Sequence, residues 1–297
     1  MNVSRKVNES MIDMLKNFSK TSSPRYLLDK YEYYSVNPNG GEEDMKKASL
    51  LGKGGFGDVY SVREIKARDP YAVKIVKMNY EENYSSGHAT TISEMDQNRI
   101  FMFVKYCQEA CLLSGFCHSN IVKVRETWIQ MGEEGSGNEG EAERFESEAL
   151  ANIQIILNFL LESGESGRAA STLSGNVAEA LERTQGLTLY MVMDLYDTDL
   201  AQYACSLKNE TKVEIIKDLI KAIDYLHSKH YCHLDLKPSN ILLQTSNNEV
   251  KVAVADFGLC TRFRPEAIPR EPGAGTWPYN TAQTQMFLIR LTSGPLD

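Results

Sequence analysis

The stretch His233-Leu234-Asp235-Leu236-Lys237-Pro238-Ser239-Asn240, with Asp256-Phe257-Gly258 shortly after it, gathers side chains suited to moving a phosphoryl group. A carboxylate such as Asp235 can take the proton of an attacking hydroxyl. Lys237 can offset charge on the transferring group. Asn240 and Asp256 offer hard oxygen ligands, the kind that suits Mg²⁺, an ion that keeps waters and phosphate oxygens in its shell. Pro238 stiffens the loop that carries them.

A second constellation lies upstream. Gly52-Lys53-Gly54-Gly55-Phe56-Gly57-Asp58-Val59 reads G-x-G-x-x-G-x-V. Its glycines let a backbone approach phosphates without a side-chain clash. Dinucleotide-binding folds use a similar string, but a helix follows it there. Here a strand-like run follows, which favours a phosphate-covering hairpin; a plain tight hairpin is the alternative. Ala72-Val73-Lys74 puts a lysine on the next strand. A lysine in that place can hold the α- and β-phosphates of ATP and pair with a glutamate. Glu109 is the candidate partner, on the helix that precedes His118-Ser119-Asn120-Ile121-Val122.

These groups need elements to hold them. Asp58–Val62 and Tyr71–Val76 read as strands, rich in β-branched and aromatic residues, with a turn at Asp69-Pro70. Residues 95–115 read as a helix, with Phe103, Cys107, Ala110 and Leu113 at helical spacing. Ile121–Val124 and Leu189–Met193 read as two further strands. Between them, about 132–186, lies an insertion with eleven Glu against three Arg and no Asp or Lys. Such composition cannot order all of itself. Within it Leu150, Ile153, Leu157 and Leu160 share a helical face, for docking or dimerisation or to cover the domain's own surface. Residues 210–230 form an amphipathic helix with Val213, Ile216, Leu219, Ile220, Ile223 and Leu226 inward, and strands follow at Ile241–Leu243 and Val250–Val254. Residues 1–46 read as a polar extension, in which Arg25-Tyr26-Leu27-Leu28 could pin part of the segment to the body.

Composition bounds the rest. The chain has 297 residues, 42% hydrophobic and 24% charged, with a net charge of −8. These are globular values that exclude fibrous or wholly disordered chains. The acidic balance argues against a broad nucleic-acid-binding surface. No apolar run reaches the roughly 18–20 residues of a membrane span, so no membrane association is expected. Six cysteines in a chain of this length make no disulfide scaffold, which points to a reduced, intracellular and cytoplasmic protein, with the nucleus also open. Cys107, Cys111, Cys117 and His118 fit no zinc spacing and read as helix packing.

The ordered set G-x-G-x-x-G-x-V, A-V-K, helix Glu, H-x-D-x-K-x-x-N and D-F-G resembles the eukaryotic protein kinase family over about residues 47–280. The resemblance implies an α+β fold of two lobes. A small antiparallel β-sheet lobe with one helix (47–195) would be followed by a partial, mainly helical large lobe (196–280) and a tail (281–297). It implies ATP and Mg²⁺ as cofactors and a protein hydroxyl as substrate. By position, Leu51, Val59 and Ala72 would sandwich adenine. Met193 resembles the residue at the back of that pocket, and Asp194 and Leu195 resemble the hinge. Leu113, Val124, His233 and Phe257 resemble the hydrophobic stack behind the site. Asp235-Leu-Lys237-Pro-x-Asn resembles the serine/threonine type. The His118-x-Asn-Ile-Val segment, Thr127-Trp128-Ile129-Gln130 and the acidic insertion resemble the kinases of the translation initiation factor two alpha subunit; kinases of the Wee type share part of this layout.

Two departures stand out. Leu234 occupies the place where most of the family carries an Arg that pairs with an activation-loop phosphate, so phosphorylation at Thr261 or Thr276 would act by another route. Gly275-Thr276-Trp277-Pro278-Tyr279 resembles the family's G-T-x-x-Y, but Asn280-Thr281-Ala282-Gln283 stands where A-P-E is expected, and the supporting helices of the large lobe would be missing. The 210–230 helix would then expose part of its apolar face. The expectation is a serine/threonine protein kinase; the rival is a kinase-like binding module with little turnover.

Overall fold

The computed structural model describes residues 27–34, 47, 49–53, 57–80, 92–131, 148–149, 151–156, 158–159, 175–203, 208–246 and 249–262. The chain divides into two compact units, residues 1–111 with 124–193, and residues 112–123 with 194–297.

The first unit is built on a six-stranded sheet. Its strands are β1 (Tyr31–Tyr33), β2 (Leu50–Lys53), β3 (Gly57–Glu64), β4 (Pro70–Met78), β5 (Val124–Met131) and β6 (Leu187–Asp194). The order is β1-β3-β4-β6-β5, with β2 also paired to β3. Strand alternation sorts β4 into two faces. Val73 and Ile75 join Val62, Trp128, Tyr190 and Val192 in one apolar cluster, while Ala72 and Lys74 project to the opposite face. Trp128 and Tyr190 sit directly opposite in the β5–β6 register and stack, with ring centroids 5.0 Å apart and planes 8° apart.

Residues of the N-terminal extension are part of this cluster. A short helix, α1 (Leu27–Lys30), leads into β1, which pairs with β3 in the register Tyr31↔Glu64. Leu27 and Tyr31 are buried in the cluster. Tyr31 Oη donates to Glu126 Oε1 at 2.6 Å, and Lys30 Nζ meets Glu126 Oε2 at 2.8 Å. Arg25 and Tyr26 lie outside the described residues.

The helix α2 (Glu94–Gly115) begins where the Ser93 Oγ accepts from the Asp96 amide at 3.1 Å, a side-chain cap for an N–H the helix itself leaves open. Ile100, Phe103, Val104, Cys107 and Ala110 form its buried face. Inside the acidic insertion, Ala149, Ile153 and Ile156 are buried and Ile155 is exposed; Leu150, Leu157 and Leu160 lie outside the described residues. A second insertion helix, α3 (Gly175–Thr184), buries Val177, Ala180, Leu181 and Thr184, and Thr184 Oγ1 lies 2.8 Å from Tyr80 Oη at the end of β4.

The second unit holds a three-stranded sheet, β10-β9-β7, and a two-stranded one, β11-β8. These strands are β7 (Thr198–Asp199), β8 (Tyr231–Cys232), β9 (Ile241–Ser246), β10 (Glu249–Val254) and β11 (Thr261–Arg262). A short helix, α4 (Leu200–Tyr203), precedes the long helix α5 (Asn209–Ser228). Ile215 of α5 packs with Ile241, Leu243 and Val252, with Leu219 beside them. Of the six α5 positions expected inward, Ile223 and Leu226 are buried and Leu219 is half-buried, but Val213, Ile216 and Ile220 are exposed. The apolar stripe is wider than the face that β10 and its neighbours cover. Ile121–Val124 is not one strand. Ile121 bridges Val254 and the Val122 N–H donates to the Val254 carbonyl at 2.9 Å, so the second unit claims these residues and β5 starts only at Val124.

One glycine of the phosphate-loop pattern is required by packing. A Cβ at Gly57 would lie 2.7 Å from the Ile75 carbonyl oxygen and 2.9 Å from Val76 Cγ2, whereas at Gly52 it would meet nothing within 4 Å. Gly57→Ala should therefore force β3 off β4 and cost about 1–3 kcal/mol. Gly52→Ala should stay within about 0.5 kcal/mol of the parent. Urea unfolding of both variants checks this.

Candidate active site

The first unit places one cluster of the expected residues. Val59 is directly opposite Lys74 in the β3–β4 register, and Ala72 lies two residues before Lys74, so the three share one face of the sheet. Gly52 pairs with Val59 and Lys53 with Asp58 across β2–β3. Leu51 is exposed, Asp58 and Val59 are half-buried, and Ala72 and Met193 are buried. Gly54, Gly55 and Phe56 lie outside the described residues.

A buried ion pair joins β4 to α2. Lys74 Nζ is 2.7 Å from Glu109 Oε2, with side-chain exposures of 13% and 2%. At so little exposure both charges are largely withdrawn from water, and each offsets the other. The Lys74 ammonium also lies 4.3 Å from the centroid of the Tyr106 ring, a contact the sequence gives no direct sign of.

The second unit places the other cluster on the loop between β8 and β9. Pro238–Asn240 forms one turn of 3-10 helix. Asp235 is buried, and its Oδ2 receives Lys237 Nζ at 2.8 Å and Asn240 Nδ2 at 3.0 Å. Asn240 Nδ2 also donates to the Asp235 carbonyl at 2.9 Å. His233 fixes the loop from behind. The Ala255 carbonyl can only accept, so the His233 Nε2 3.0 Å away carries the proton. Nδ1 then accepts from the Asp235 N–H at 3.2 Å. Burial lowers the His233 pKa and keeps this neutral tautomer. Between these pinned residues Leu234 takes a left-handed φ of 63°.

Asp256 follows Ala255, whose N–H donates to the Asn240 carbonyl at 2.9 Å, so backbone pairing sets the two expected metal ligands side by side. The donor set fits Mg²⁺. Asn240 commits its nitrogen to Asp235, which makes its side-chain oxygen the atom it can offer a cation, and Asp256 adds a carboxylate. Phe257 is buried against His233, centroids 4.7 Å apart, and against Phe116 at 5.8 Å. Of the expected stack, His233 and Phe257 touch directly and Leu113 is buried; Phe116 is an additional member that the motif pattern did not mark. Asp194 is tied to Lys123 by its N–H at 3.0 Å, and Leu195 follows half-buried. Thr261 is half-buried in β11, paired with Cys232, while Thr276 lies outside the described residues. Burial pushes the Cys107 thiol well up and the Cys111 thiol to about 12, so both stay protonated as packing groups.

A β-sheet unit with a lysine–glutamate pair, joined in one chain to a helical unit bearing the Asp235 loop and Asp256-Phe257-Gly258, has the α+β, two-lobe architecture of a protein kinase. The comparisons agree. The family model described as "Protein kinase domain" matches residues 176–281. "Eukaryotic translation initiation factor 2-alpha kinase 1" of Plasmodium falciparum is 27% identical over 290 residues, 80% of this chain and 18% of that protein. "Interferon-induced, double-stranded RNA-activated protein kinase" of Rattus norvegicus is 22% identical over 253 residues, 83% of this chain and 37% of that protein. A "probable serine/threonine-protein kinase" of Dictyostelium discoideum is 26% identical over 252 residues, 85% of this chain and 24% of that protein. The matched segment and these relatives support a eukaryotic protein kinase, with a weak likeness to the kinases of translation initiation factor 2 alpha. It spans between 18% and 37% of the length of these curated relatives.

Removing one member of the buried pair takes that compensation away from the other charge. Lys74→Met should cost about 3–5 kcal/mol, and Lys74→Met with Glu109→Gln should recover most of it. Denaturant melts of the two single variants and the double variant measure that coupling.

Proposed function

We propose that this chain is an ATP- and Mg²⁺-dependent protein serine/threonine kinase. The observation that carries the proposal is the Asp235–Lys237–Asn240 network of the second unit, which suits phosphoryl transfer; the buried Lys74–Glu109 bridge of the first unit supports it separately.

Lys74, held by Glu109, binds the α- and β-phosphates of the nucleotide, and the Gly52–Val59 strand pair covers them. Leu51, Val59, Ala72 and Met193 line the adenine position, with Asp194 and Leu195 following as the hinge. Asn240 and Asp256 hold magnesium, which neutralises phosphate charge when bound. Asp235 orients the substrate hydroxyl and takes its proton. Lys237 already lies 2.8 Å from the Asp235 carboxylate, so it brings a positive charge beside the place where negative charge develops. Most of the rate enhancement then comes from positioning and fixed charge.

The serine/threonine assignment rests on Lys237 two residues after Asp235 and on the Dictyostelium relative's printed name. The first substrate to try is the alpha subunit of translation initiation factor 2, because the Plasmodium relative is named for it. The insertion keeps docking or dimerisation as its proposed role: among its described apolar residues Ala149, Ile153 and Ile156 are buried, but Ile155 is exposed.

Incubation of the full chain with labelled ATP, Mg²⁺ and that subunit, beside a generic basic protein, tests the proposal. Phosphoserine or phosphothreonine should form, and Asp235→Asn should lower the rate at least about 100-fold. No turnover by folded protein that still binds ATP would establish the rival, a kinase-like binding module.

A further inference from the structure

We propose that Tyr106 is a positioning residue for Lys74, holding the ammonium in place through the face of its ring. The inference rests on the reading above, in which Lys74 binds nucleotide phosphates, and adds a residue that no motif marks.

Tyr106 stands three residues before Glu109 on α2, so the two side chains leave the helix as neighbours on one face. Both reach the same ammonium, Glu109 at 2.7 Å and the ring centroid at 4.3 Å. This is the shortest cation–ring contact among the described residues. Others, such as Lys30 over Tyr31 at 5.4 Å and Arg125 over Tyr71 at 5.8 Å, are longer. It also involves a cation only 13% exposed, and a cation–ring attraction gains strength as water is excluded.

Glu109 meets the ammonium with a carboxylate oxygen and the Tyr106 ring meets it with its face, at the end of a flexible four-carbon stem. A ring on a second side removes much of that freedom before any nucleotide arrives, which is preorganisation. The ring's electron-rich face stabilises the charged ammonium over the neutral amine.

Tyr106→Phe keeps the ring and removes the hydroxyl. Tyr106→Leu removes the ring, and Tyr106→Met is a second ringless replacement should the leucine variant melt early. Pulse acetylation of the full-length protein with acetic anhydride, read at Lys74 by mass spectrometry across pH 7–10, reports the fraction of neutral amine. In the ringless variants the rate–pH profile should move to lower pH, with the rate near pH 8 rising about three-fold, while Tyr106→Phe stays within about two-fold of the parent. ATP dissociation constants should follow, about five-fold weaker without the ring and nearly unchanged with phenylalanine. Coincident profiles for parent and ringless variants would overturn the proposal. So would a phenylalanine variant as displaced as leucine, or ringless variants that acetylate faster yet keep the parent's ATP dissociation constant, which reports access only. The acetylation profile judges Tyr106 without nucleotide; failure of the parent chain to bind ATP would instead count against the proposed function.

Discussion

The arrangement depends on a lysine and a glutamate that have both left water. Glu109, 2% exposed, sits inside the first unit with Lys74 2.7 Å away, which offsets its charge. That requirement reaches outward. β4 must present Lys74 on the face opposite Val73 and Ile75, which are committed to the aromatic cluster. α2 must present Glu109 while burying Phe103, Cys107 and Ala110. A shift of one residue in the β3–β4 register would exchange the faces and put the ammonium among Val62, Trp128 and Tyr190. The tight approach of Gly57 to the Ile75 carbonyl is part of what holds that register.

The second unit solves a different problem, how to keep an irregular loop of functional side chains rigid. It does so with hydrogen bonds rather than apolar bulk. Asn240 is spent on the backbone and side chain of Asp235, His233 is spent on the Ala255 carbonyl and the Asp235 N–H, and Ala255 returns to the Asn240 carbonyl. Nearly every polar group thus serves both to shape the loop and to aim a neighbour, which is why Leu234 can be held in a left-handed conformation. The buried Phe257 supplies the apolar backing for His233.

Much of this was legible because it is local. The glycine string, the β-branched runs around Lys74 and the helical spacing of Phe103, Cys107 and Ala110 are patterns within one element, and the kinase-like order of motifs linked them. The parts that escaped depend on distant partners. Tyr31–Tyr33 looks like polar tail until β3 is present to pair with it and Glu126 to accept from Tyr31. α3 carries Val177, Ala180, Leu181 and Thr184 at helical spacing, but the acidic composition around it masked the signal. An apolar stripe on α5 says that some surface is covered, not which part: Val213, Ile216 and Ile220 are exposed, in line with the expected partial exposure of that helix's apolar face. Tyr106 was invisible because its importance lies in a contact with β4.

The proposed function, a kinase that binds Mg-ATP, is tested most directly by the thermal melt of the full chain with and without the nucleotide and metal. At about 100 times its dissociation constant, Mg-ATP should add about 2.7 kcal/mol of stability to the parent chain. ATP with a chelator should add less, and Asp256→Asn should lose most of the metal-dependent part. A cooperative melt that Mg-ATP leaves unmoved at millimolar concentration, or a rise that Asp256→Asn retains in full, would contradict the account.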